Sequence, residues 1–386
     1  MVLSGMVLID RLSAEPEVLR IEWSDGQVGE HVWLWVRDHS HDDVTMHPST
    51  MQRQLFTAGV DPALRGTDAV LDDGRVVVHW NDPTESPSIL PVAFLHRLRD
   101  SAGTPDAERI LWDGASIVED WPTIRHDEVM ASDDGVADWL ATVARFGFCF
   151  VTDVPGERTA TEALIRRVGY VRETVFGGMW DFQADLSKAD TAYTSLELRP
   201  HTDGTYSHDA PGLQLLHCLA FDGAGGESTM VDGFRVAAQL RVADPTAYEV
   251  LSTVPVPGQY IGDGVHLRAE RPVFRHRRDG VLEQVSFNNH DRAPFWLPPA
   301  EMTAFYDALR AFETRVNDLR LQWRRVMQPG DAMLFDNWRV LHGRLAYSGH
   351  RHIAGGYVNR EDYESRRRML VDRGTPMTGN RGGQRG

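Results

Sequence analysis

Asp331-Ala-Met-Leu-Phe-Asp-Asn-Trp-Arg-Val-Leu-His-Gly-Arg344 decides the fold. It is an apolar run of strand length, a polar turn, and a second apolar run that ends on a histidine. Similar short runs precede it, separated by Gly, Pro and Asp: Gly212-Leu-Gln-Leu-Leu-His-Cys-Leu219, Glu227-Ser-Thr-Met-Val231 and Val281-Leu-Glu-Gln-Val-Ser-Phe287. Many short strands with frequent turn signals predict a sandwich or jelly-roll barrel, a mostly β fold with α+β character. Two helices interrupt it, over 234–252 and over 299–326, the second with Phe305, Leu309 and Phe312 at helical intervals. Upstream, Val136, Trp139, Leu140 and Val143 mark a helix over 134–147, and residues 160–169 mark another. Between them Gly147-Phe-Cys-Phe-Val-Thr152 reads as a buried strand.

Residues 1–97 predict a separate, small β-rich domain, with strands over Val18-Leu-Arg-Ile-Glu-Trp23, His31-Val-Trp-Leu-Trp-Val36 and Arg75-Val-Val-Val-His-Trp80. Residues 98–133 contain the polar stretch Asp100-Ser-Ala-Gly-Thr-Pro-Asp106 and are expected as a linker; 134–372 form the main domain. The Gly- and Arg-rich tail 373–386 is expected to be disordered.

The composition narrows the function. Forty basic against 56 acidic residues give a net charge of −16, which disfavours nucleic acid or an anionic membrane as partner. No run approaches a membrane span, and the first residues lack a charged segment ahead of a long apolar one, so a cytoplasmic protein is expected. Two cysteines, Cys149 and Cys218, allow no disulfide framework and no four-cysteine zinc module.

His201-Thr-Asp203 carries the chemistry. In an extended segment residues i and i+2 share a side, so one imidazole and one carboxylate meet one ion. His342 is the best third ligand. Two histidines and a carboxylate on one face of an octahedron leave the opposite face open, the arrangement of non-haem Fe(II) oxygenases. From spacing alone, a surface turn with an unrelated His342 reads as well. His41-Asp-Asp43 shows that such a pair arises by chance. A keto-acid co-substrate would chelate two open positions and need a cation for its far carboxylate. Arg351, nine residues after His342, is the candidate, although a surface arginine is the simpler reading.

Seven motifs together resemble the γ-butyrobetaine dioxygenase and trimethyllysine dioxygenase family of Fe(II)/2-oxoglutarate oxygenases. They are Phe176-Gly-Gly-Met-Trp180, Asp190-Thr-Ala-Tyr-Thr194, His201-Thr-Asp-Gly-Thr-Tyr206, Gly212-Leu-Gln-Leu-Leu-His-Cys218, Val231-Asp-Gly-Phe234, Phe287-Asn-Asn289 and Asp336-Asn-Trp-Arg-Val-Leu-His-Gly-Arg344. The resemblance implies a double-stranded β-helix core behind a small N-terminal domain. It implies His201, Asp203 and His342 as ligands of Fe(II), Arg351 on the 2-oxoglutarate carboxylate with Ser228 assisting, and O2 as the other co-substrate. Ascorbate as a stimulant and a homodimer belong to the same expectation.

The family's substrates carry a trimethylammonium group, which donates no conventional hydrogen bond and is held by aromatic faces, each worth roughly 0.5–2 kcal/mol. The resemblance carries that cage onto Phe176, Trp180, Tyr193 and Tyr357; ordinary core aromatics are the alternative. Asp190 would attract the ammonium of trimethyllysine and repel the lone carboxylate of butyrobetaine, and Asn289 is a polar contact to the substrate. Asp190 also reads as a loop cap. With Asn288-Asn-His-Asp-Arg-Ala293 these motifs look closer to trimethyllysine dioxygenase. C3 hydroxylation of N6-trimethyllysine is therefore expected, with γ-butyrobetaine or another cationic amine as the alternative substrate. A non-catalytic, cupin-like metal-binding protein is the alternative class.

One departure stands out. Where family members carry a Cys-rich zinc motif, this chain has Trp35-Val-Arg-Asp-His-Ser-His-Asp-Asp-Val-Thr-Met-His-Pro-Ser-Thr50, without a cysteine. His39, His41, His47, Asp42 and Asp43 have a spacing that permits a metal. Ser40, Asp42 and Thr45 stand where thiolates would be, and serine and threonine are poor zinc ligands, so a polar turn without structural zinc is expected.

Overall fold

The computed structural model describes residues 7–101, 109–182, 194–262 and 264–371. The chain divides into two compact units, with the boundary between Asp106 and Ala107. The tail from 372 onward lies outside the described residues.

The first unit contains two three-stranded antiparallel sheets, Ile9–Ala14, Val18–Trp23 and Val28–Val32 in one and Gly66–Asp72, Arg75–Trp80 and Ser88–Pro91 in the other. Alternation sets the core: Leu19, Ile21, Val76, Val78 and Leu90 are fully buried on their strands' inner faces. The strand expected over 31–36 stops at Val32, and Trp33–Asp38 is a helix. Val32 pairs with Val18, the first residue of the neighbouring strand, so no ladder partner exists beyond it. Helical spacing then buries Trp33 and Val36 together.

The second unit is a two-sheet sandwich. The larger sheet orders its strands Thr123–Arg125, Phe148–Thr152, Ala332–Asp336, Leu213–Gly225, Tyr347–Val358, Met179–Phe182. The smaller runs Leu198–His201, Val340–Arg344, Ser228–Asp232, Gln322–Arg325. All pairs are antiparallel except the first of the larger sheet. Phe148, Phe150, Cys218, Met333 and Ile353 from one sheet pack with Met230, Trp323 and Val340 from the other, which is a jelly-roll core. Helices Asp133–Phe146 and Arg158–Val168 pack in a second cluster with Leu213, Leu215 and Leu334.

Three expectations change. Residues 109–133 are not a linker: Trp112 is buried, its Nε1 donates to the Phe146 carbonyl, and Thr123–Arg125 pairs with Phe148–Thr152. The helix over 234–252 is two, Gly233–Ala243 and Pro245–Thr253, because the Asp244 carboxylate caps the second by accepting from Ala247 N at 2.9 Å and Pro245 starts it. The helix from 299 ends at Val316, and Gln322–Arg325 pairs instead with Ser228–Asp232, which buries Trp323 between the sheets.

Candidate metal centre and aromatic pocket

His201 ends the strand Leu198–His201 and lies directly opposite His342 on the strand Val340–Arg344. The two ring centres are 4.5 Å apart. Asp203 follows just past the strand end, with Oδ1 3.3 Å from His201 Nε2 and Oδ2 3.6 Å from His342 Nε2. One ligand atom from each of the three lies within 4.8 Å of the others, the one such group of three among the described residues. Register brings them together: a residue at the end of one strand meets the middle of its neighbour.

The outer atoms of the site are also arranged. His201 Nδ1 lies 2.8 Å from the Arg199 carbonyl, an acceptor that places a proton on Nδ1 and turns Nε2 toward Asp203. His342 Nδ1 is buried without a hydrogen-bond partner among the described residues. Asp203 is clamped by Asn337, whose Oδ1 accepts from Asp203 N at 2.8 Å and whose Nδ2 donates to Asp203 O at 3.0 Å and to Pro211 O at 2.9 Å. Gly204 lets the chain turn at φ +72, where a Cβ would sit 2.5 Å from Pro211. Tyr357 donates its hydroxyl to Asp203 Oδ2 at 2.7 Å.

Burial alone would raise the Asp203 carboxyl, but the charge of His342 and the bonds to His201 and Tyr357 hold it well below the usual carboxylate range. One carboxylate supports one imidazolium. Burial works against the charged form of His201, yet Asp203 raises it above its ordinary value, whereas burial pushes His342 down to about 3. An ionised carboxylate and imidazole nitrogens around one point suit a borderline divalent ion such as Fe(II), and the set fits the facial arrangement with an open side.

Arg351 lies on the strand Tyr347–Val358 opposite Phe221 and is buried, with 8% of its surface exposed. Among the described residues it makes no ion pair or hydrogen bond; its guanidinium sits 5.7 Å from the Tyr347 ring centre, and that of Arg344 is 4.9 Å from the same ring. Burial, reinforced by Arg344, pushes the Arg351 guanidinium down to about 10. A Cβ on Gly226 would lie 3.7 Å from Arg351 Cδ, so the Gly225–Gly226 turn runs along the arginine stem. Ser228, buried, follows it and pairs with Arg344. A buried cation without an anion among the described residues is suited to a carboxylate ligand.

The aromatic residues form two groups. Trp180 and Tyr357 meet edge to face at 5.2 Å, and Phe176 meets Tyr260 at 5.2 Å. Tyr206 stands 5.5 Å from Tyr260. Phe176, Tyr206, Leu267 and Tyr357 line one cavity of about 140 Å³ with Arg172 and Glu173. Trp180 reaches its place because residue 355 is glycine: a Cβ there would fall 2.1 Å from the indole. Asp190 and Tyr193 lie outside the described residues. Asn289 is exposed, and its neighbour His290 is the residue whose ring lies 6.5 Å from that of His201.

Sequence reading missed Asn337, Tyr206, Tyr260 and His290. Asn337 sat inside the quoted 331–344 run and Tyr206 inside the His201 motif; nothing in the sequence pointed to Tyr260.

In the first unit's polar turn, Ser40, Asp42, Thr45 and His47 are engaged in hydrogen bonds within that unit. Asp42 accepts from Val44 N, Thr45 N and the Thr45 hydroxyl, and lies 3.7 Å from Arg37. Ser40 Oγ accepts from Ile89 N at 2.7 Å, and His47 Nδ1 faces Ser49 N and Thr50 N. Arg37, itself buried, bonds the Thr45 hydroxyl and Glu85. Arg37 thus gathers Asp42, Thr45 and Glu85 around one guanidinium.

Comparison with known proteins agrees with this geometry. Residues 112–357 match the model of the taurine catabolism dioxygenase TauD, TfdA family. The chain is 30% identical to trimethyllysine dioxygenase of Meyerozyma guilliermondii, over 94% of this chain and 96% of that protein. It is 35% identical to trimethyllysine dioxygenase of Neurospora crassa, over 86% of this chain and 79% of that protein. It is 33% identical to gamma-butyrobetaine dioxygenase of Pseudomonas sp. (strain AK-1), over 90% and 92%. A jelly-roll sandwich with a His201–Asp203–His342 group at the strand ends, matched along most of its length by these enzymes, belongs to the TauD/TfdA dioxygenases and, within them, to the trimethyllysine and γ-butyrobetaine dioxygenases.

Proposed function

We propose that this protein is an Fe(II)- and 2-oxoglutarate-dependent hydroxylase of N6-trimethyllysine, acting at the unactivated C3. The observation that carries the reading is the hydrogen bond from Tyr357 to Asp203, because it puts an aromatic-lined cavity directly against a two-histidine, one-carboxylate group. Iron, when bound, supplies O2 activation coupled to decarboxylation of 2-oxoglutarate. His201, Asp203 and His342 hold the ion on one face. Arg351, assisted by Ser228, binds the far carboxylate of 2-oxoglutarate.

The chain's remaining task is positional. Faces of Phe176, Trp180 and Tyr357, joined by Tyr206, hold the trimethylammonium by cation–π attraction and dispersion. Tyr193 completes that box and Asp190 takes the amino-acid ammonium at the other end, with Asn289 as a polar contact. Held at both ends, the chain presents one C–H to the open side of the metal. γ-Butyrobetaine is the second reading, favoured by the likeness to gamma-butyrobetaine dioxygenase of Pseudomonas. Asp190 separates the two, since an acid beside the butyrobetaine carboxylate is repulsive.

The N-terminal turn functions without structural zinc, its place taken by the Arg37 network. The active form is a homodimer in the cytoplasm, with ascorbate as a stimulant and a role in carnitine biosynthesis. No helix among the described residues is long and apolar enough to cross a membrane. The test is incubation of iron-loaded protein with 2-oxoglutarate and each quaternary amine. Gain of one oxygen atom on trimethyllysine with succinate release is expected. No gain on either amine, with turnover of an uncharged substrate, overturns the reading.

A further inference from the structure

We infer that the Tyr357 hydroxyl is a positioning group for the metal's carboxylate ligand, so that one tyrosine serves both the substrate pocket and the metal. The ring's part rests on the function proposed above; the hydroxyl's part does not.

The argument begins with the two oxygens of Asp203. Oδ1 faces His201 Nε2, while Oδ2 faces His342 Nε2 at a longer distance and also accepts the tyrosine proton at 2.7 Å. A carboxylate with both oxygens free can rotate and take two coordination positions. With one oxygen engaged by a phenol, the other is left as a single ligand atom, and the open side needed by a keto acid and a gas stays open.

Tyr357 is built to hold that proton in place. Its backbone is paired on one side with Gln214, and its carbonyl accepts from Arg172 N at 2.9 Å on the other. Its ring is packed edge to face against Trp180 and is only 9% exposed. The Asn337 clamp on the backbone of Asp203 restrains the carboxylate's root, so Tyr357 has only the carboxylate's rotation left to fix. A phenol anchored from three directions, aimed at one oxygen of a metal ligand, is more than a pocket wall needs.

Tyr357→Phe in the full chain separates the two roles, since it keeps the ring and removes the hydroxyl. Co(II) alone is titrated into the metal-free protein, without substrate or 2-oxoglutarate, and the visible d–d spectrum is recorded. Expected is a loss of Co(II) affinity of roughly 10- to 100-fold with a changed spectrum. The metal-free chain should still unfold cooperatively, with a midpoint lowered by no more than the loss of one buried hydrogen bond, and KM for trimethyllysine under saturating iron is measured as the readout of the ring. Tyr357→Leu, which removes the ring as well, should raise that KM. Unchanged affinity and spectrum in Tyr357→Phe overturn the inference. A Tyr357→Phe chain that fails to fold also overturns it, because the phenol would then hold the fold and not the ligand. Loss of metal affinity with no activity on trimethyllysine in wild type would leave the positioning role standing and refute the substrate.

Discussion

Arg351→Met should stabilise the protein and at the same time cripple its use of 2-oxoglutarate. The guanidinium is buried, has no ion pair or hydrogen bond among the described residues, and is pushed from 12.5 down to about 10. Each unit of such a shift corresponds to about 1.4 kcal/mol, so holding this charge in the folded chain costs on the order of 3 kcal/mol. Methionine keeps most of the stem and its packing along Gly226 but carries no charge. For a unit of this size the expected gain is a thermal midpoint about 5 °C higher in the absence of ligand. A two-pronged contact from an arginine to a carboxylate is worth about 3–4 kcal/mol, and its loss should raise the half-saturating 2-oxoglutarate concentration roughly 100- to 1,000-fold. Differential scanning fluorimetry of the metal-free protein reads the first effect, and succinate release against 2-oxoglutarate concentration reads the second. A lower midpoint together with a shift in half-saturation below threefold would refute the reasoning, because Arg351 would then be a structural arginine.

Three further outcomes follow from other buried polar groups. Arg339→Leu should destabilise by about 3–5 kcal/mol in urea unfolding, since it strands the Asp232 carboxylate, which Arg339 meets at 2.8 Å with both side chains buried; the double change with Asp232→Asn should recover part of the loss. Burial pushes the His217 imidazole from 6.5 down to about 4, so the native state stays neutral where the unfolded chain takes up a proton. Stability should therefore fall as pH drops from about 6.5 to about 4, by up to about 3 kcal/mol, and His217→Gln should flatten that acid arm in urea midpoints taken across the range. Protein stripped of iron should contain no stoichiometric zinc by elemental analysis, and Arg37→Met should loosen the first unit, seen as faster amide exchange around Asp42 and Thr45; zinc at one per chain would refute this account of the turn.

The sequence carried the local part of this architecture. Apolar runs of strand length between turn residues are short-range signals, and so is the capping of Asp133–Phe146 by Ser132 and Gly147. The His201 motif was legible because its two ligands lie within one extended segment. What was not legible depends on register between strands far apart in the chain. The helix from 299 continues on periodicity alone, yet Trp323 gains more by entering the sandwich than by extending the helix. Asn337 reads as an ordinary turn residue until the 203–211 segment arrives beside it. The family resemblance marks Tyr357 as a cage aromatic, but the direction of its hydroxyl depends on its neighbours in the sheet.

The two buried arginines show how function can be separated from structure in such a core. Arg339 and Arg351 sit on the same sandwich, and both side chains are buried. Arg339 donates to both oxygens of Asp232 and to the carbonyls of Arg145 and Ile110, which ties three segments together and leaves its charge compensated. Among the described residues Arg351 has only the face of Tyr347 beside its charge. His342 Nδ1 and Trp180 Nε1 are buried without partners among the described residues, but so are Trp139 Nε1 and His217 Nε2, so an open atom alone does not mark a site. A fold that closes its hydrogen-bond accounting at Arg339 packs that charge for its own stability, whereas Arg351 is left able to meet a carboxylate. The bond from Tyr357 to Asp203 is a satisfied contact of the other kind: it ties a ring packed against Trp180 to the carboxylate of the candidate metal group.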